Sequence, residues 1–83
     1  MDESEIKKAI GEKKDYTIYT IGITDNPDRR KSEHKSDGKS VQYWKHWKAD
    51  SETVARNVEK YFGDKGMKGG GGGDTNGKYV YVF

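Results

Sequence analysis

One segment constrains what this chain can fold into more than any other. "YTIYTIGIT", Tyr16 to Thr24, is dense in β-branched and aromatic residues, the composition of a pleated, buried surface. Period-2 alternation sets Tyr16, Ile18, Thr20 and Gly22 on one face and Tyr19, Ile21 and Ile23 on the other. Apolar groups on both faces predict a central strand over residues 16–24. Gly22, lacking a Cβ, lets another backbone or a ligand approach closely.

The rest of the chain must build around that strand with little apolar material. Its 83 residues form a single domain, 1–83, with a modest core. Apolar residues make up 30% and charged residues 36%, a balance that leans toward disorder; six tyrosines, two tryptophans and two phenylalanines argue instead for a packed core. The absence of cysteine excludes disulfides and thiolate metal sites and suits a reducing compartment. "MDESEIKKAIGEKK" has no apolar run of signal-peptide length, and no stretch is long enough to span a bilayer. The expectation is a soluble, cytoplasmic protein with no membrane partner.

Residues 3–13 fit a short helix, with Ile6, Ala9 and Ile10 at i, i+3, i+4. "TDNP" opens a second: Asn26 caps, Pro27 takes the first helical position, and Asp28 complements the dipole. It should run from Pro27 to His34 and end in the turn Ser36–Gly38. The helix is almost entirely polar, and Arg30 and His34 share one face. "SVQYWKHW", Ser40 to Trp47, reads as an aromatic strand. In "ADSETVARNVEKYFG", Asp50 or Ser51 caps a helix ending at Gly63. Val54, Val58 and Tyr61 are its expected core stripe, and Ala55, Glu59 and Phe62 line the neighbouring face. Residues 66–73, "GMKGGGGG", read most simply as a flexible linker; a phosphate-cradling nest is the weaker alternative, since no GxxxxGK[ST] spacing is present. The terminal "GKYVYVF" alternates Tyr79, Tyr81 and Phe83 with Val80 and Val82. The predicted fold is therefore a small α/β (α+β) domain. Its antiparallel or mixed sheet has about three strands, from residues 16–23, 40–48 and 78–83, flanked by two or three helices.

Charge is unevenly spread although the net is only +2. Between Arg29 and Lys48, the cations Arg29, Arg30, Lys31, Lys35, Lys39, Lys45 and Lys48 face only Glu33 and Asp37, whereas residues 49–64 are net acidic. A local positive field attracts a polyanion, and a solvated face is the simpler account of any single charge run. The candidate nucleic-acid contacts are Arg29, Arg30, Lys31, Lys35, Lys45 and Lys48, with DNA or RNA as the partner. Trp44, Trp47 and Tyr43 read first as core and sheet-face aromatics, and second as platforms for an unpaired base.

"IGITDNPDRRKSEH", followed later by "ARNVE", resembles the GIY-YIG nucleases, and most closely their structure-specific branch. In that family a strand ending Tyr-Ile-Gly is followed by Asn at the fourth position, a catalytic Arg at the eighth and His or Tyr at the twelfth. Gly22 is followed at those spacings by Asn26, Arg30 and His34. An Ala-x-x-x-Glu step on a later helix carries the family's metal-binding Glu, and Ala55 and Glu59 stand in that pattern. The resemblance covers roughly residues 20–62. It implies a GIY-YIG-like fold and a metal-dependent endonuclease. Arg30 would hold the scissile phosphate, His34 would assist proton transfer or positioning, and Glu59 would bind Mg²⁺ or Mn²⁺. The chemistry is coherent: a planar guanidinium matches a phosphate, and these cations accept few protein ligands.

The family's late Asn has no clear counterpart beyond Asn76, and two further features depart from the family pattern. Thr20 stands where Tyr-Ile-Gly has its Tyr, and too few residues precede Tyr16 to supply the leading Gly-Ile-Tyr strand. One arrangement restores the second feature: the terminal strand fills the lane beside residues 16–23 and carries Tyr79 or Tyr81 toward Arg30. Two other functions fit the sequence. One is a noncatalytic nucleic-acid-binding remnant; the other is a protein-interaction domain whose aromatic strands and terminal β-edge dock a partner chain.

Overall fold

The computed structural model describes residues 1–69 and 77–83. Among these, helices α1 (Glu3–Ile10), α2 (Pro27–Ser36) and α3 (Glu52–Asp64) pack with a four-stranded mixed sheet. Its strands are β1 (Thr20–Thr24), β2 (Lys45–Lys48), β3 (Lys68–Gly69) and β4 (Tyr79–Val82), in the order β2-β4-β1-β3. β4 runs antiparallel to both of its neighbours, and β3 lies parallel to β1. The α+β class is as expected. β1 is internal, as its two apolar faces require, and the sheet has one strand more than predicted.

The helices begin where their caps dictate. Asp2 accepts the Glu5 amide at 2.8 Å while the Glu5 carboxylate accepts the Asp2 amide at 3.0 Å, a reciprocal box that starts α1. Gly11, at φ 76°, ends it. Asn26 accepts the Arg29 amide at 3.1 Å and Ser51 the Val54 amide at 3.2 Å, opening α2 and α3.

Strand edges are shorter than expected, for local reasons. Asp15 accepts the Thr17 amide at 2.9 Å and closes a 3-10 turn over Tyr16–Ile18, so pairing starts at Thr20 and Ile18 is left 69% exposed. Trp44 donates its amide to the Val41 carbonyl at 3.1 Å, so the second strand begins at Lys45 rather than Ser40. The expected linker begins too early at residue 66. Met67 is buried, and Lys68 and Gly69 pair with Thr20 and Ile21. Residues 70–73 of that stretch lie outside the described residues.

One sheet face carries the apolar core. Ile21, Val80 and Val82 meet Ile6 and Ile10 of α1 and Ala55, Val58 and Phe62 of α3. Each large side chain so buried contributes about 1.5–3 kcal/mol. The core stripe of α3 is thus Ala55, Val58 and Phe62: Val58 is buried as expected, Val54 packs at the edge, and Phe62 takes the place expected of Tyr61. Tyr61 stays 39% exposed because Lys7 and Lys65 hold their ammonium groups 4.1 and 5.0 Å from its ring centroid. No helix of the described residues is long and apolar enough to cross a membrane.

Candidate functional site

The opposite sheet face is polar and built around β4. The Thr24 hydroxyl accepts the Asn26 amide at 3.0 Å, turning the chain from β1 straight into α2. This phase aims Arg30 and His34 at the sheet: His34 is only 1% exposed, and the Arg30 side chain 16%. In the β1–β4 register Gly22 stands opposite Tyr81. The Tyr81 ring lies across Gly22; a Cβ at that position would sit inside van der Waals contact with the phenol. The Tyr81 hydroxyl reaches 2.9 Å from His34 Nε2 and accepts from Arg30 Nε at 3.4 Å. The terminal strand therefore does fill the lane beside β1, and of its two candidate tyrosines Tyr81 meets Arg30. Tyr79 instead meets the His46 ring edge-on at 6.1 Å.

Aromatics wall the site. Trp44 stacks on Tyr81 with centroids 4.4 Å apart and donates its indole N–H to His46 Nδ1 at 3.0 Å. Phe83 packs 4.8 Å from the His34 ring and 5.4 Å from Trp44. Trp44 has a place in the sequence reading as a core aromatic or a base platform, whereas Phe83 has no site role there, although the alternation of Tyr79, Tyr81 and Phe83 sets it on the Tyr81 face.

Arg30 also donates to Glu33 at 3.3 Å, and its bond to Tyr81 raises its already high pKa, so it is a permanent cation. Burial pushes the His34 pKa down, with Arg30 and Lys39 adding repulsion, so the ring is neutral at physiological pH. When the phenol proton points to Nε2, the ring carries its own on Nδ1, a buried atom with no hydrogen-bond partner among the described residues. A depressed folded pKa gives stability that is full above the ordinary value of 6.5 and is lost as pH falls. Melting temperature should therefore fall as pH is lowered through and below the ordinary value of 6.5, and His34→Gln should flatten that slope. Parallel slopes in the two proteins would mean that His34 is not held neutral by burial.

Searches of known protein families, curated proteins and solved structures find no match to this chain.

Glu59 lies half-buried on α3, the helix that packs against β1 and β4. Burial raises its pKa, and Arg56 partly offsets this. Among the described residues no three His, Asp or Glu side chains converge as a metal cage. A single carboxylate fits only a hard cation that keeps most of its ligands as water and phosphate oxygens. A raised folded pKa also means that ionised Glu59 costs stability once pH exceeds the carboxylate range. Glu59→Gln should therefore melt higher than wild type at neutral pH, and the gain should vanish in acid, where both side chains are uncharged. Equal melting at neutral pH would deny that the carboxylate is strained there.

The basic residues divide into separate groups. Lys31 and Lys35 line one trough together with Lys39. Lys45 lines a different, apolar cleft. Arg29 pairs with Asp25 at 3.0 Å, and Lys48 is exposed at the far end of β2. Thr20 pairs its backbone with Phe83 at 2.7 and 3.0 Å, and its hydroxyl does not take the part of a phenol.

Proposed function

We propose that this domain binds nucleic acid in a cytoplasmic setting and cleaves its phosphodiester backbone, in the manner of a GIY-YIG nuclease whose leading strand is replaced by one that follows the helices. One observation carries the reading: a tyrosine from a strand beside β1 hydrogen-bonds both the Arg and the His of the Asn-x-x-x-Arg-x-x-x-His helix. Arg30, the outermost of the three, meets the phosphate and neutralises its non-bridging oxygens. As its guanidinium shifts toward the phosphate, the Tyr81 hydroxyl beneath is uncovered. Neutral His34 then accepts the phenol proton, leaving Tyr81 able to take one from water. By the resemblance Glu59 would hold Mg²⁺ or Mn²⁺, whose chemistry would be polarisation of the phosphate and of the leaving oxygen, although α3 packs on the sheet face opposite the one that carries Tyr81.

A binding-only domain is the second reading, favoured by the 1% exposure of both Tyr81 and His34. It shares the basic trough and lacks turnover. The deciding experiment is cleavage of labelled branched, single-stranded and duplex DNA with Mg²⁺ or Mn²⁺, comparing wild type with Tyr81→Phe and Glu59→Gln. Cutting that falls on the order of 100-fold in each variant supports the nuclease. Binding that weakens with salt, with no cutting by wild type, leaves the binding domain.

A further inference from the structure

Beside the Tyr81 site, and sharing its Phe83 wall, is a cleft of about 540 Å³ between the end of α1 and the β2–β4 end of the sheet. We infer that this cleft takes an unpaired base of single-stranded nucleic acid whose backbone lies along the Lys31–Lys35–Lys39 trough. The inference rests on the nucleic-acid reading above and adds the class of substrate.

Three observations converge on this occupant. The cleft is lined by flat or apolar groups, Ile18, Tyr43, Trp47 and Phe83 among them. Ile18 and Tyr43 are 69% and 76% exposed, so they cover none of the core, and a ring so open offers a stacking face. Its cations are Lys13 and Lys45, and among the described residues no Asp or Glu side chain lines it. Finally, the cleft runs into the trough: Ser40 lines both, and among the described residues the trough too has no acidic side chain. Lys31 and Lys35 stand one helical turn apart, about 6 Å along the axis, with Lys39 just beyond the helix. Successive cations beside an aromatic recess are the arrangement that binds single strands, in which phosphates track the charge and a base leaves the stack. An acidic peptide would satisfy the charge less regularly, since its carboxylates do not recur at every residue.

The test is fluorescence anisotropy with a labelled oligothymidine and with a blunt duplex of equal length. Tyr43→Ala should weaken single-strand binding roughly tenfold and leave both duplex binding and the salt slope unchanged. Lys31→Ala with Lys35→Ala should instead reduce the salt slope by roughly 1.4. Ile18→Ser should act in the same direction as Tyr43→Ala, and the exposure of both residues keeps the fold out of the comparison. If Tyr43→Ala binds oligothymidine as wild type does, or loses duplex binding equally, the base pocket is refuted while the nucleic-acid function stands. If wild type binds neither probe, both fall together. If an unlabelled acidic peptide containing Trp binds wild type but not Tyr43→Ala, and oligothymidine binding ignores the substitution, the cleft docks protein.

Discussion

Gly22→Ala is expected to strip the domain of most of its stability. The new methyl carbon would overlap the Tyr81 hydroxyl oxygen and Cζ and lie 2.8 Å from Cε2. The ring cannot simply step aside. Trp44 stacks on it at 4.4 Å, His34 and Arg30 hold its hydroxyl, and it is 1% exposed. Overpacking a fixed core costs about 1–3 kcal/mol and sometimes more, and here the buried hydroxyl also loses its partners. A loss of about 3 kcal/mol in a domain of this size lowers the melting temperature by roughly 12–24 °C. Thermal unfolding followed by circular dichroism measures it directly. Adding Tyr81→Ala to Gly22→Ala should cost less than the two single losses combined, because removing the ring removes the clash. A Gly22→Ala protein that melts within a few degrees of wild type would mean that the Tyr81 ring does not cross β1 at Gly22. The proposed site would go with it.

The second large effect falls on chemistry. Arg30→Ala should lower metal-dependent cleavage by roughly 100- to 1,000-fold, the usual loss when a fixed donor to a developing anion is removed. The cost to stability should be small, on the order of 1 kcal/mol for the bond to Tyr81. Arg30→Lys restores the charge but not the planar fork and should recover only part of the rate. Single-turnover cleavage with excess protein separates this from weaker binding. An Arg30→Ala protein that cuts at the wild-type rate would remove Arg30 from the reaction and leave Tyr81 and His34 as a structural pair.

What could be read in advance was whatever chemistry close in sequence controls. The Asn26–Pro27 start of α2 and the Ser51 start of α3 are caps, set by side chains three residues from the amides they satisfy. The shared face of Arg30 and His34 follows from helical spacing alone. Strand ends were less legible, because Tyr16–Ile18 is as β-prone as the residues after it and only the Asp15 side chain diverts it. Tyr61 and Phe62 are adjacent aromatics, and it takes Lys7 from another helix to hold Tyr61 at the surface. Parallel pairing of Lys68 and Gly69 with β1 left no local trace, since a glycine-rich run carries no β signal. At the site, Tyr81 was one of two candidates in an alternating strand. Only the register opposite Gly22 distinguishes it from Tyr79, and register is a property of the paired chain.

The sheet order also governs when the protein comes into being during synthesis. β1 and β2 do not pair with each other; both pair with β4, which the ribosome makes after both. At about 5–20 residues per second, the nascent chain spends seconds with two unpaired strand edges and with α2 holding Arg30 and His34 over nothing. A fragment that stops before Tyr79 has neither a middle to its sheet nor the phenol between Arg30 and His34. Synthesis of β4 is thus the event that assembles the site, and a fragment without it carries none of the proposed chemistry.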